Sequence, residues 1–157
     1  MIDQLDAQVR GAYAAYDFRA VWRAVSEFAA SDLSALYFDI RRDSLYCDSP
    51  LSDKRRACRT VMDLAFERLT AWLSPITPFT TEEAWTTRFP DAGSNCLRVI
   101  PETPAEWRDD AEAARWARIA DVTGAVTLAL EEQRREKLIG SALDANVVVQ
   151  TKDADAF

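Results

Sequence analysis

Hydrophobic residues recur at helical spacing through the first part of the chain. The first stripe, which predicts a helix over about residues 3–15, consists of Ile2, Leu5, Val9, Tyr13 and Tyr16. Asp17 then predicts an N-cap, because its carboxylate can accept a bond from a free backbone N–H at the start of the next helix. That second helix is predicted over about residues 18–43, with a bend at Ser31-Asp32. Its core-facing stripe is predicted to be Val21, Val25, Phe28, Leu36 and Ile40.

Two more helices are predicted in the middle of the chain. After a turn at residues 49–53, Ser52 or Asp53 is predicted to cap a helix that ends before Pro75. Its inner face is predicted to comprise Cys58, Val61, Met62, Ala65, Leu69, Trp72 and Leu73. Thr80 and Glu83 have the spacing of a capping box, which predicts a short helix over about residues 81–88.

The last third of the chain predicts an irregular crossing and one long helix. Residues 89–101 hold two prolines and a glycine and are predicted to be irregular. Thr103 and Glu106 form a second predicted capping box, followed by a helix to about Lys137 that is broken near Asp109-Asp110 and stopped at Gly140. Its inner stripe is predicted to be Trp116, Ile119, Thr123, Val126 and Leu130. Residues 146–151 predict one β-strand without a partner, which indicates truncation.

These elements predict a mainly α fold, a helical bundle with a short C-terminal α/β segment. The chain has 157 residues, enough for one compact core. No apolar run is long enough to cross a membrane and no signal peptide is visible, so we expect a cytoplasmic, monomeric protein. Three widely spaced cysteines, Cys47, Cys58 and Cys96, favour free thiols in a reducing compartment and no zinc site.

The composition excludes the common catalytic arrangements. The chain has no histidine, so neither a Ser-His-Asp nor a Cys-His arrangement can form. No Gly-rich phosphate loop is present either. We therefore expect no catalytic residues and no bound metal or cofactor in this chain.

Charge is distributed unevenly. The net charge is −7, which by itself disfavours a nucleic-acid partner. Between residues 41 and 59, however, six basic side chains stand against three acidic ones, a net +3, so the rest of the chain carries −10. The basic side chains are Arg41, Arg42, Lys54, Arg55, Arg56 and Arg59. A bound polyanion is expected at this segment.

The end of the second helix combines arginines with an aromatic residue. Arg41 and Arg42 are predicted at its C-terminus and Tyr46 lies just beyond. An exposed tyrosine beside guanidinium groups can stack an unpaired base while the arginines hold phosphates. Arginines at a helix C-terminus also stabilise the helix dipole, so the structural explanation stays open at this point.

Two sequence blocks suggest a family. Residues 32–47, Asp-Leu-Ser through Leu-Tyr-Cys, are followed by residues 71–85, Ala-Trp-Leu-Ser-Pro-Ile-Thr-Pro-Phe through Ala-Trp. In this order they resemble the anticodon-binding region of bacterial isoleucyl-tRNA synthetases. The segment from Leu130 to Ala145 resembles the family's closing segment. The resemblance implies an anticodon-binding helical bundle over residues 1–138, without the first family helix, and the start of a truncated α/β segment over residues 139–157.

The resemblance implies binding rather than catalysis. In this family, ATP, Mg²⁺ and the chemistry of isoleucine transfer belong to a separate catalytic domain, whose two ATP signatures this sequence lacks. The editing domain and the zinc-binding tail of many relatives are also missing. The implied partners are the anticodon arm of isoleucine tRNA and the remaining domains of a parent synthetase.

The leading candidate contacts to the anticodon arm are Arg41, Arg42 and Tyr46. Arg23, Asp32 and Tyr37, on the same helix, are weaker candidates. One alternative keeps the bundle but assigns it to a valyl- or leucyl-type synthetase. The other is a helical protein-interaction scaffold without RNA affinity. Salt distinguishes the scaffold from an RNA-binding domain, because phosphate contacts weaken steeply as salt rises.

Overall fold

The computed structural model describes residues 1–150. Its α-helices are α1 (Ile2–Ala14), α2 (Phe18–Glu27), α3 (Asp39–Tyr46), α4 (Asp53–Leu73), α5 (Pro78–Arg88) and α6 (Asp110–Arg135). A π-helical segment, Phe28–Phe38, joins α2 to α3 without a break, and three 3₁₀ turns cover Asn95–Leu97, Ala105–Trp107 and Ala142–Asp144. Contacts divide the chain into one compact unit, Met1–Ala105, and a second that begins at Glu106. The predicted division after residue 138 stays a prediction.

The first unit packs α1, α2, the π-helical segment and α4 around one apolar core. The buried residues of this core are Leu5, Val9, Val21, Ala24, Val25, Phe28, Leu33, Ala65 and Trp72. The predicted first helix is confirmed, but Tyr16 of its predicted stripe lies beyond the helix and is 81% exposed. The predicted cap of the second is also confirmed, because Oδ1 of Asp17 accepts a 2.9 Å hydrogen bond from the backbone N–H of Ala20.

The predicted core stripe of the second helix is wrong beyond Phe28. Leu36 and Ile40 are 39% and 51% exposed, whereas Leu33 is 7% exposed. The cause is the π-helical segment, in which hydrogen bonds close over five residues instead of four. Leu33 lies five residues after Phe28 and therefore returns to the core face, and the 3.6-residue period no longer applies.

Helices α4 and α5 start differently from the predictions. Ser52 occupies the N-cap position of α4, but its hydroxyl donates to Oδ2 of Asp48 and makes no bond to the helix. On the predicted inner face of α4, Met62 is exposed, whereas Cys58, Ala65 and Trp72 are buried. The capping box predicted for α5, Thr80 with Glu83, is also wrong.

Helix α5 begins at Pro78, three residues before the predicted start. Proline suits the first helical position because its ring fixes a helical φ and its missing N–H would have no partner there. Thr80 and Glu83 consequently lie inside the helix and cap nothing.

Three arginines hold the irregular crossing that follows α5. Nη2 of Arg10 donates to the carbonyls of Ile100, at 3.2 Å, and of Pro101, at 2.8 Å. Nη2 of the buried Arg68 donates to the carbonyl of Glu102 at 3.0 Å. Arg98 stacks on Trp85, with its guanidinium carbon 3.5 Å from the ring centroid. The predicted irregular segment is therefore fixed by side chains of α1, α4 and α5.

The second unit contains α6. Asp109 caps it, because Oδ1 accepts a 2.9 Å hydrogen bond from the backbone N–H of Glu112, and the predicted capping box at Thr103 and Glu106 is wrong. None of the residues of α6 is buried, and Trp116 and Thr123 of the predicted inner stripe are exposed.

The predicted stop at Gly140 is also wrong. Lys137, with φ of 59°, ends α6 through hydrogen bonds from its own N–H to Arg134 and from Leu138 to Gln133. Residues 146–150 have no regular secondary structure, so the predicted strand is not formed there. Thr151, its last predicted residue, lies outside the described residues.

Candidate nucleic-acid interface

The end of α3 exposes an arginine and a tyrosine on one helix face. Arg42 and Tyr46 are four residues apart, and Tyr46 is 80% exposed. Nη2 of Arg42 lies 2.7 Å from Oδ1 of Asp39, and both side chains are about two-thirds exposed. An exposed ion pair of this kind contributes at most about 1 kcal/mol. Arg42 can therefore exchange Asp39 for a phosphate group at little cost.

Arg41 points to a different side of α3. It is half-buried, and its charge acts on Tyr37, one helical turn earlier, where it lowers the pKa of the phenol. The structure thus brings Arg42 and Tyr46 together but separates Arg41 from them.

Tyr37 ties the rod formed by α2, the π-helical segment and α3 to α4. Its hydroxyl donates to Sγ of Cys58, 3.4 Å away, and Cys58 is buried. Burial and the Cys58 contact raise the pKa of Tyr37, and these effects outweigh the opposing effect of Arg41. The Tyr37–Cys58 contact was not anticipated, because the two residues lie 21 positions apart and no local pattern links them.

Arg23 and Asp32 line an open groove of about 460 Å³ between α1 and the rod. Phe28 and Glu27 also line the groove. Burial raises the pKa of Asp32, the charge of Glu27 raises it further, and the chain's amino terminus lowers it. The structure therefore brings these two candidates together, on a separate groove from Arg42 and Tyr46.

The first turns of α4 add basic side chains beside α3, which packs against α4. Lys54, Arg56 and Arg59 are exposed. Arg55 differs, because its Nη1 donates to the carbonyl of Asp48 at 2.7 Å and thereby holds the turn between the two helices. We call Arg42, Tyr46, Lys54, Arg56 and Arg59 the basic tip.

Comparison with known proteins decides the family. A sequence profile described as "Anticodon-binding domain of tRNA ligase" matches residues 1–149. The chain belongs to this family. The anticodon-binding domain is 60% identical over 152 residues to an isoleucine–tRNA ligase of Caulobacter vibrioides, 53% over 154 residues to one of Agrobacterium fabrum and 54% over 153 residues to one of Ruegeria pomeroyi.

These matches cover 97–98% of the anticodon-binding domain but 16% of each relative's length. The predicted family and the predicted helical fold are confirmed. The individual site residues are not tested by the comparisons and stay predictions.

Two further properties of residues 1–150 bear on the site. They contain no helix with the length and apolar character that a membrane crossing requires. They also hold no group of three or more Cys, Asp and Glu side chains placed to bind a metal ion. The basic tip presents four exposed cations and the exposed phenol of Tyr46.

Proposed function

We propose that this domain docks the anticodon arm of an isoleucine tRNA through the basic tip, in support of isoleucine–tRNA ligation by a longer synthetase. The observation that carries the proposal is the pairing of exposed Tyr46 with exposed Arg42 beside the basic first turns of α4, in a chain whose other segments are acidic. Membership of the anticodon-binding family supports the class of ligand. The named relatives support isoleucine as the amino acid.

The side chains of the basic tip would make two kinds of contact with the RNA. Tyr46 offers a flat ring on which an unpaired base of the anticodon loop can stack, a contact worth about 1–3 kcal/mol. Arg42, Arg56 and Arg59 offer cations for the phosphates, which fix the orientation of the RNA but carry no sequence information. Binding by this surface requires no cofactor of the domain's own.

The alternatives make different predictions. A valyl- or leucyl-type domain would prefer the stem-loop of another tRNA. A protein-interaction scaffold would bind no stem-loop at all, and its affinity for a protein would depend little on salt. The net −10 outside residues 41–59 repels RNA, so we expect weak binding that falls steeply with added salt.

The experiment is a fluorescence-anisotropy titration of labelled anticodon stem-loops with the domain and three variants. We expect Arg42→Ala to weaken binding and to reduce the slope of log K against log salt by about 1, because one phosphate contact is lost. We expect Tyr46→Ala to weaken binding with an unchanged slope, because stacking releases no counterions.

Arg115→Ala is the matched control. Arg115 is 64% exposed and pairs with Glu112 at the same spacing as Arg42 with Asp39, but it lies on α6. The proposal fails if both tip variants bind like the unmodified domain, or if Arg115→Ala loses as much affinity as Arg42→Ala. A preference for the valine or leucine stem-loop in the same titration would reassign the tRNA.

A further inference from the structure

Two residues of the basic tip, Arg42 and Tyr46, are joined to the core through the π-helical segment Phe28–Phe38. Its eleven residues are flanked on both sides by ordinary α-helix. π-helical geometry is rare, usually limited to a single turn, and frequent at functional sites. A run of this length changes the direction in which all later side chains of the rod point.

The change of direction can be worked out from helix geometry. An α-helix turns by about 100° per residue. Closing each hydrogen bond over five residues places nearly one more residue in every turn, which lowers the rotation to about 80° per residue. Over the eleven residues of the segment the lag reaches about 200°. Residues of α3 are thus turned by more than half a revolution relative to an uninterrupted α-helix.

Tyr46 and Arg41 show the effect. Tyr46 follows Phe28 by eighteen residues, five full turns of an ideal α-helix, so an uninterrupted helix would place both on the buried face. In the structure Phe28 is buried and Tyr46 is 80% exposed at the helix end. Arg41 follows Phe28 by thirteen residues and would lie on the outer side of an α-helix. In the structure it is half-buried.

We infer that the π-helical segment is a specificity-determining element, which selects Tyr46 and Arg42 as the RNA-facing side chains and withdraws Arg41. The inference rests on the proposed docking of an anticodon arm and adds which face of α3 does the docking. Two contacts fix the rotation of α3 about the axis of the rod, which we call its register. They are the packing of Leu33 in the core and the hydrogen bond from the Tyr37 hydroxyl to Sγ of Cys58. Neither would form in an uninterrupted α-helix, where Leu36 would replace Leu33 at the core.

The register can be tested without RNA, by thiol labelling. Cys47→Ser and Cys96→Ser first remove the two exposed native thiols and leave the buried Cys58. In this background, maleimide should label Leu36→Cys about tenfold or more faster than Leu33→Cys, because a buried thiol reacts only after local opening. The opposite order would overturn the inference.

A second pair of cysteine variants tests the same register if Leu33→Cys fails to fold. Tyr46→Cys should label faster than Arg41→Cys, because Tyr46 is exposed and Arg41 is half-buried in the structure. An uninterrupted α-helix would place Tyr46 on the buried face and Arg41 outward, so it predicts the reverse order.

RNA titration then separates this inference from the proposed function. With the expected labelling order, Tyr46→Ala should weaken stem-loop binding about fivefold or more, and Arg41→Ala should change it less than Arg42→Ala does. A larger loss for Arg41→Ala than for both other variants would overturn the inference while leaving RNA docking intact. If the domain binds no stem-loop at all, the proposed function fails, and the labelling order alone decides the register.

Discussion

Asp6 joins three parts of the first unit through one carboxylate. Oδ1 accepts a 2.9 Å hydrogen bond from Nε1 of Trp72, which is fully buried in α4. Oδ2 accepts a 2.9 Å hydrogen bond from Nε of Arg10, whose Nη2 holds the carbonyl of Pro101. Replacing Asp6 by alanine removes both acceptors and leaves the indole N–H of Trp72 buried without a partner.

The magnitude follows from these two bonds. A buried N–H left unpaired costs about 1–3 kcal/mol. The lost ion pair adds at most about 1 kcal/mol, because the Arg10 side chain is 41% exposed and its charge is screened. Alanine has a higher helix propensity than aspartate, and this offsets about 0.5 kcal/mol of the lost stability. We therefore expect Asp6→Ala to lower the free energy of unfolding by about 0.5–3.5 kcal/mol.

Urea unfolding followed by far-UV circular dichroism measures this loss. Gln8→Ala, at an exposed position of the same helix, is the control and should change stability by less than about 0.5 kcal/mol. In a Trp72→Phe background the N–H is already gone, so Asp6→Ala should cost at least about 1 kcal/mol less there. An equal cost in both backgrounds, or a total loss below about 0.5 kcal/mol, would refute the reasoning.

Two further predictions concern the start and the middle of the rod. Asp17→Ala should destabilise the domain by about 1 kcal/mol in urea unfolding, because α2 loses the cap on the Ala20 N–H, whereas Asp17→Asn should retain most of the stability. Equal losses for both variants would contradict the capping role. Because burial and Glu27 raise the pKa of Asp32, its ionisation lowers stability as the pH rises through that pKa. Asp32→Asn should therefore be more stable than the unmodified domain at pH 7 but not near pH 3, and an equal difference at both pH values would contradict this sign.

Local signals explain which parts of the fold were predictable. The start of α2 depends on one carboxylate and one apolar stripe, both visible within a few residues, so Asp17 was assigned correctly. The start of α5 was missed because two signals compete there. The proline at position 78 initiates the helix and takes precedence over the Thr80–Glu83 spacing.

The candidate site was only partly predictable for a different reason. Arg42 and Tyr46 were predicted as contacts from residue type and position, and both side chains are exposed as that prediction requires. The separation of Arg41 from them could not be foreseen, because its orientation depends on rotation accumulated over eleven preceding residues. No residue of that segment signals a five-residue hydrogen-bond period, since alanine, leucine and serine occur in ordinary α-helices. Tertiary contacts, among them those of Leu33 and Tyr37, favour it.

The wide turns of Phe28–Phe38 also bear on how family members of different length compare. Nine residues of ordinary α-helix turn through about the same angle as eleven residues of this segment. A homologue shorter by two residues here, with ordinary α-helix in place of the segment, would aim its tyrosine and arginine in about the same direction. Ser34 and Ala35, both exposed, are the pair whose deletion would reproduce this arrangement.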